Sequence, residues 1–250
     1  MKVLSPILAM TILVLSPILC ALSDTETNKL QLSKGTHIVL IGNNLCSRMM
    51  NFGYFETEMH LRYPKSKLFI RNMCDGSNTP GFRPHSGRLS PWAFPGAEEY
   101  NIDYSRNSDS QGHFETPDEW LTRLKADVII AFFGYNESFR KEAGVKLFEE
   151  ELGAFIRHSL SQKYNGNTSP QLAIVSPIAF EDLSQNQDLP NGENENKYLL
   201  MYKDVMKRVA KKHGVIFIDV FSPSKIWFEK DDQLTIDGFQ LNDQGYKRLS

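Results

Sequence analysis

Five short apolar segments along the chain have the composition of buried β-strands. Each is a continuous run rich in β-branched or aromatic residues, without the alternating polar positions that mark a strand with one exposed face. Such runs are typical of parallel strands covered on both sides. The segments are residues 37–41, 68–70, 128–133, 172–175 and 215–218.

Amphipathic stretches separate these segments and predict helices. Residues 45–63 form one such stretch, and Pro64 ends it. Residues 146–164 and 194–213 repeat apolar side chains at three- and four-residue steps, and Gly214 ends the second of them. Strands that alternate with helices predict right-handed crossovers. We therefore expect an α/β fold, a doubly wound, flavodoxin-like three-layer sandwich around a five-stranded parallel sheet.

One long segment, residues 73–116, lacks this alternation. Glycine, proline, serine, asparagine and aspartate are dense there, and no helix or strand is predicted. Loops longer than about 15 residues in compact domains are usually functional or disordered. Its aromatic residues argue against disorder, so we interpret the segment as an ordered insertion that lies over the strand ends. These residues are Phe82, Trp92, Phe94, Tyr100, Tyr104 and Phe114.

The amino-terminal residues predict export. Lys2 precedes an apolar run over residues 3–22, and residues 21–23 match the small-x-small pattern of a signal-peptidase site. We expect a signal peptide at 1–23 and one domain at 24–250, located in the periplasm, in the cell envelope or outside the cell. The run is close to the roughly 20 residues of a membrane anchor, but two prolines interrupt it. No stable membrane span is therefore expected after signal removal.

The charge and the cysteine content of the chain limit the classes of partner and cofactor that we expect. The net charge of -2, with 28 basic and 30 acidic residues, predicts no nucleic-acid partner. Cys46 and Cys74 follow the signal region, and in an exported chain they form either one disulfide or two buried thiols. No cysteine or histidine pattern has metal-binding spacing, so neither a metal nor a cofactor is expected.

Residues 242–249 have the pattern of a closing helix, which leaves open a continuation of the native chain past Ser250.

Polar clusters follow the ends of several predicted strands, where ligands bind in open α/β sheets. The four blocks are Gly42-Asn43-Asn44-Leu45, Asn72-Met73-Cys74-Asp75-Gly76, Gly134-Tyr135-Asn136-Glu137 and Asp237-Gly238-Phe239-Gln240-Leu241-Asn242, the last followed by Gly245-Tyr246. In their order and structural context these blocks resemble those of the SGNH (GDSL-type) hydrolase family of esterases and lipases. The resemblance spans nearly the whole chain after residue 23 and implies an SGNH-hydrolase type of sandwich.

The resemblance also implies roles for single residues. In the family, a serine of the first block attacks an ester, a histidine of the last block takes its proton, and an aspartate three residues earlier orients the histidine. Asp237 matches that aspartate. Gly76 and Asn136, with the Asn44 N–H, match the oxyanion hole. Asn44 occupies the serine position and Gln240 the histidine position. Neither amide titrates, so neither acts as a nucleophile or a general base near neutral pH.

Each of these residues also has a simpler structural interpretation. Asn136 suits the cap of a turn after a strand, and Gly76 suits a turn that needs positive φ. Asp237 suits the cap of the short helix that starts near Asn242.

The sequence therefore predicts an exported SGNH hydrolase-like domain whose family chemistry is hydrolysis of acyl or carbohydrate esters. Because the proton-handling positions are substituted, its pocket is expected to bind a small-molecule or carbohydrate ester without cleaving it. One alternative is an active esterase that uses Cys46, Ser47, His85 or His113 as nucleophile or base. Another is a structural or targeting module of a larger secreted protein.

Overall fold

The fold is organised around one sheet of five parallel strands in the order β2-β1-β3-β4-β5. The structure is a computed structural model, which describes residues 29–101, 112–185, 187–230 and 233–250. The predicted signal peptide lies outside these residues. The strands are β1 (His37–Gly42), β2 (Phe69–Asn72), β3 (Val128–Phe132), β4 (Gln171–Val175) and β5 (Ile216–Ile218). All neighbouring pairs are parallel, which confirms the predicted fold class.

Helices connect the strands and cover both faces of the sheet. In the described part of the chain they are α1 (Asn44–Met49), α2 (Tyr54–Arg62), α3 (Pro117–Arg123), α4 (Tyr135–Ser138), α5 (Val145–Ser161), α6 (Glu193–His213), α7 (Phe221–Lys230) and α8 (Asp243–Leu249). None of the helices among these residues is both long and apolar enough to cross a membrane.

Successive residues of β1 face opposite layers, because side chains alternate along a strand. Ile38 and Leu40 pack in the layer formed with α1, α2 and α8. Val39 and Ile41 pack in the layer formed with α5 and α6. Both faces of the strand are therefore buried, which is why its sequence is a continuous apolar run.

The prediction of one helix over residues 45–63 was wrong. α1 ends at Met49 and α2 begins at Tyr54. Gly53 lies between them with φ 67°, a left-handed conformation that glycine adopts without steric cost and that turns the chain out of the first helix. The predicted end of α6 is confirmed, since Gly214 closes it with φ 66°.

The described part of segment 73–116 docks on α5 through one buried carboxylate. Glu151 Oε1 accepts hydrogen bonds from Thr79 Oγ1 (2.8 Å), Gly81 N (2.8 Å) and Asn101 Nδ2 (3.2 Å). Burial raises the pKa of Glu151, although these three donors act in the opposite direction. Apolar residues of the same segment also join the core cluster beneath α5. They are Met73, Ala93, Phe94 and Ala97.

Candidate active site

The first three polar blocks meet where β2, β1 and β3 end. Asp75 N donates to Gly42 O (3.0 Å), and Asn43 N donates to Phe132 O (3.0 Å). Gly42 has φ 133°, and a Cβ at this position would collide with the backbone carbonyl of Phe132. Only glycine allows two strand ends to approach this closely.

A disulfide joins the first block to the second. Cys46 and Cys74 are bonded, with their Cα atoms 5.8 Å apart. Asn72 braces both partners, since its Nδ2 donates to Cys46 O (2.9 Å) and its Oδ1 accepts from Cys74 N (2.8 Å). Of the two states that the sequence allows, the structure has the disulfide. The bond leaves Cys46 without the thiolate that a cysteine nucleophile requires.

Asn44, which the resemblance places at the nucleophile position, is the first residue of α1. Its Oδ1 lies 3.9 Å from the position that a Cβ on Gly76 would take, so the first and second blocks face each other. In the described part of the chain, neither the Asn44 N–H nor the Gly76 N–H donates to a protein acceptor. Two backbone donors of the expected oxyanion hole are therefore present and unoccupied by protein groups.

The third expected oxyanion donor is already engaged. Asn136 Nδ2 donates to the carbonyl oxygens of Gly76 (2.9 Å) and Asn78 (2.9 Å). A side-chain amide has two donor hydrogens, so both are used. Asn136 thus ties the second block to the third and holds no free donor for a ligand.

Asp237 and Gln240 form the pair that the resemblance implies. Gln240 Nε2 donates to Asp237 Oδ2 (3.0 Å), and Gln240 N donates to Asp237 Oδ1 (2.7 Å). The carboxylate therefore orients the side chain at position 240, as it would orient an imidazole. Asp237 does not cap α8, because Asn242 Oδ1 accepts from Gly245 N (2.9 Å) and fills that role.

Two contacts bind the fourth block to the others. The rings of Tyr135 and Phe239 stack with centroids 3.2 Å apart, which brings the residues beside Asn136 and Gln240 together. Tyr246 Oη donates to Leu45 O (2.9 Å), which ties α8 to α1. The structure thus gathers all four blocks at one end of the sheet. Among the described residues, no hydrogen bond joins Gln240 to Asn44.

Glu181 positions the loop that carries Asp237, and sequence reasoning missed it. Its carboxylate accepts from Leu234 N (3.0 Å) and Thr235 N (2.7 Å), and it also bonds the Thr235 hydroxyl. Thr235 Oγ1 in turn accepts from Gly238 N (3.0 Å). Glu181 lies in the polar segment that follows β4. Because ligands bind beyond the carboxyl ends of the strands, the polar residues of this segment could have been identified as candidates from the sequence.

Glu137 belongs to the third block, but no role was predicted for it from the sequence. It is 4% exposed, and its Oε2 accepts from Gly134 N (2.7 Å). Its Oε1 has no hydrogen-bond partner among the described residues. Burial, together with the charge of Glu151, raises the pKa of Glu137 to about 8. A carboxyl group beside Asn136 therefore stays protonated at neutral pH.

The other candidate nucleophiles and bases are Ser47, His85 and His113. His85 stacks on Phe114 with ring centroids 3.7 Å apart, and its Nδ1 accepts from Gly87 N (3.1 Å). His113 is exposed. Ser47 is half-buried in α1, one helical turn after Asn44. In the part of the chain that the structure describes, no hydrogen bond joins these residues to Asp237 or Gln240.

A cavity of about 570 Å³ opens beside Asp237. It lies between α4, the segment after β4 and the start of α6. Lys141 and Glu195 add opposite charges to its wall. Aromatic walls with few polar groups are typical of small-molecule sites. The aromatic lining residues are Tyr135, Phe139, Phe180 and Tyr198.

A doubly wound parallel sheet with these four blocks at its strand ends defines an SGNH-type hydrolase fold. Residues 75–248 match the sequence profile of the GDSL-like Lipase/Acylhydrolase family. This match covers more than half of the chain, and the protein belongs to that family. No curated protein matches the chain in a sequence search.

Solved structures share the fold at low sequence identity. Axe2, an acetylxylan esterase from Geobacillus stearothermophilus, is 13% identical with a TM-score of 0.58, over 88% of this chain and 93% of that one. LAE5, an alpha/beta hydrolase enzyme from the metagenome of Lake Arreo in Spain, is 16% identical with a TM-score of 0.56, over 87% and 92%. The gut microbial diltiazem-metabolizing enzyme BT4096 is 11% identical with a TM-score of 0.60, over 89% and 46%.

Proposed function

We propose that this protein is an exported member of the family whose degenerate site binds an acylated carbohydrate or another acyl ester without hydrolysing it. Asn44 and Gln240 take the places of the nucleophile and the base. Loss of a serine-type nucleophile or base costs about 10⁴- to 10⁶-fold in turnover. Without a nucleophile and a base, the site loses the ester hydrolysis of the family, and ligand binding is the function that remains.

The contact between Asp237 and Gln240 carries the proposal. The carboxylate holds the Gln240 amide at 3.0 Å, in the place where the family has a titrating imidazole. An amide accepts no proton near neutral pH, whereas it donates and accepts hydrogen bonds with sugar hydroxyls and acyl carbonyls. The engaged amide of Asn136 also supports a binding role, because one of the three oxyanion donors is unavailable.

The cavity beside Asp237 supports a ligand of carbohydrate size. Tyr135 and Phe180 supply aromatic faces next to Asp237, and about 570 Å³ falls within the range of small-molecule sites, roughly 300–1,000 Å³. The name of the structurally similar Axe2 points to acetylated xylan as the first ligand to test. Export rests on the amino-terminal pattern and agrees with the disulfide, since disulfides persist in oxidising compartments.

Two assays on the mature protein, residues 24–250, test the proposal. With 4-nitrophenyl acetate, we expect no turnover above that of Asn136→Ala. Turnover that this substitution abolishes would establish an active esterase and refute the proposal. In calorimetric titrations, acetylated xylooligosaccharides are expected to bind more tightly than their deacetylated forms. Phe180→Ala should weaken that binding, whereas Leu200→Ala, an exposed residue of α6 outside the cavity, should not.

A restoration experiment tests the cause of inactivity. The double variant Asn44→Ser/Gln240→His should gain esterase turnover, because Asp237 already orients the side chain at position 240. Asn44→Ser with Gln240 unchanged is the matched control, since it has the nucleophile and lacks the base. A general base contributes about 10²- to 10⁴-fold, so a gain of at least 100-fold over the control is expected. Equal turnover of the two variants would show that the loss of the base does not limit the site.

A further inference from the structure

Two charged side chains that line the cavity beside Asp237 have no ion-pair partner among the described residues. Lys141 comes from the segment after α4, and Glu195 lies in the first turn of α6. Lys141 is exposed and Glu195 is half-buried, so both side chains are accessible to a ligand. No ion pair joins the two residues to each other, although both line the same cavity. The described part of the wall therefore presents one unpaired ammonium group and one unpaired carboxylate.

The backbone of Lys141 is held in a conformation that places its ammonium group at the cavity. Lys141 has φ 51°, in the left-handed region that residues other than glycine disfavour. Tyr202 is fully buried, and its Oη donates to Lys141 O (2.9 Å), which stabilises this conformation. Lys141 Nζ lies 5.9 Å from the centroid of the Tyr198 ring, which also lines the cavity. Backbone strain that the surrounding contacts impose is common at ligand sites.

The neighbouring charges already have partners. Lys197 Nζ, which also lies over a ring of the cavity wall, pairs with Glu142 Oε1 at 2.7 Å. Asp237 is the third charged residue of the lining, and both of its carboxylate oxygens accept hydrogen bonds from Gln240. The ammonium group and the carboxylate described above are therefore the charged lining groups that lack a hydrogen-bond partner in the described part of the chain.

The two unpaired groups suit different parts of an acylated sugar. A carboxylate only accepts hydrogen bonds, so Glu195 suits a sugar hydroxyl and has no use for an ester carbonyl. An ammonium group only donates, so Lys141 suits the carbonyl oxygen of an acyl group. Tyr135 lies near enough to Glu195 to respond to its charge. Burial, together with the charges of Asp237 and Glu195, raises the pKa of Tyr135 to about 12, so its hydroxyl stays protonated and can also bond a sugar.

We propose that the cavity selects a partially acylated sugar, in which Lys141 donates to the acyl carbonyl oxygen and Glu195 accepts from a free hydroxyl group of the same ring. This inference rests on the proposed function, since it assigns contacts within the same cavity. The rings of Tyr135 and Phe180 provide apolar faces for the sugar ring. A fully acylated sugar lacks the donor for Glu195, and a sugar without acyl groups lacks the carbonyl for Lys141.

Calorimetric titration of the wild-type protein with three methyl xylosides is the first test. The monoacetylated compound has an acetyl group and free hydroxyls, the unacetylated one has only hydroxyls, and the triacetylated one has only acetyl groups. We expect the monoacetylated compound to bind at least about 10-fold more tightly than either of the others, the effect of one charge-assisted hydrogen bond. Equal binding of the triacetylated compound would overturn this inference and leave the proposed function intact. Equal binding of the unacetylated compound, or no binding of any xyloside, would overturn both.

Two variants separate recognition from a structural role. Glu195→Gln should weaken binding of the monoacetylated compound by about 10-fold and leave the triacetylated compound unaffected. Lys141→Met should weaken binding of both acetylated compounds by about 10-fold and leave the unacetylated compound unaffected. Glu193→Gln, in the same helical turn but outside the cavity, and Lys146→Met, at an exposed position of α5, are the matched controls and should change no affinity. A variant that only distorts the cavity would weaken all three ligands alike, and that result would overturn the proposal.

Discussion

The protonated carboxyl group of Glu137 predicts that the stability of this protein depends on pH. The pKa of Glu137 is about 8 in the folded chain, against an ordinary value of 4.5. Between these two values the unfolded chain loses the proton while the folded chain keeps it. The free energy of unfolding therefore falls as pH rises, by about 1.4 kcal/mol per pH unit, and the contribution lost over the whole window is about 5 kcal/mol.

Glu137→Gln removes the contribution of Glu137 to this pH dependence. Glutamine is neutral at every pH, and its side-chain oxygen retains the contact with Gly134 N. Near pH 4.5 the variant and the wild type should be equally stable. At pH 9 the variant should be more stable by several kcal/mol, since the wild type then holds a buried negative charge.

Urea unfolding at one-unit steps from pH 5 to pH 9, followed by circular dichroism with the disulfide intact, measures this difference. Glu150→Gln is the matched control, because Glu150 is exposed on α5 and its substitution should reproduce the wild-type profile. If Glu137→Gln shows the same pH profile as the wild type, the Glu137 carboxyl group does not stay protonated when buried, and the reasoning fails.

Three further predictions follow from contacts described above. Cys46→Ala/Cys74→Ala should lower the free energy of unfolding by roughly 3–4 kcal/mol in urea titrations, because the bond closes a loop with a sequence separation of 28. Glu151→Ala should speed proteolytic cleavage within residues 73–101, whereas Glu151→Gln keeps the accepting oxygen and should match the wild type. Gly42→Ala should yield little folded protein, as judged by gel filtration, because its Cβ collides with a strand backbone; normal yield would contradict the close approach.

The sequence predicts the sheet well because its three central strands, β1, β3 and β4, are continuous apolar runs that are buried on both faces. It also contains signals that the helix pattern alone does not use. Thr116 and Glu119 form a capping box around Pro117 at the start of α3, and these residue types alone predict that arrangement. Gly53 is a similar signal, because this glycine separates the first predicted helix into α1 and α2.

The candidate site is only partly predictable. The order of the four blocks indicates which residues converge, since parallel strands end at one edge of the sheet. The engaged amide of Asn136 is not predictable, because it depends on two carbonyls about 60 residues away in sequence. The raised pKa of Glu137 and the docking of the insertion on Glu151 likewise arise from burial, which tertiary packing creates.

The contact between Tyr246 and Leu45 has a consequence for synthesis on the ribosome. The two residues are 201 positions apart, so α1 leaves the ribosome long before α8 exists to cover it. At a translation rate of about 5–20 residues per second, α8 is synthesised on the order of 10–40 seconds after the first block. Cys46 and Cys74 are 28 positions apart and emerge early in that interval. In an oxidising compartment, the disulfide between the first and second blocks can therefore form before α8 has been translated.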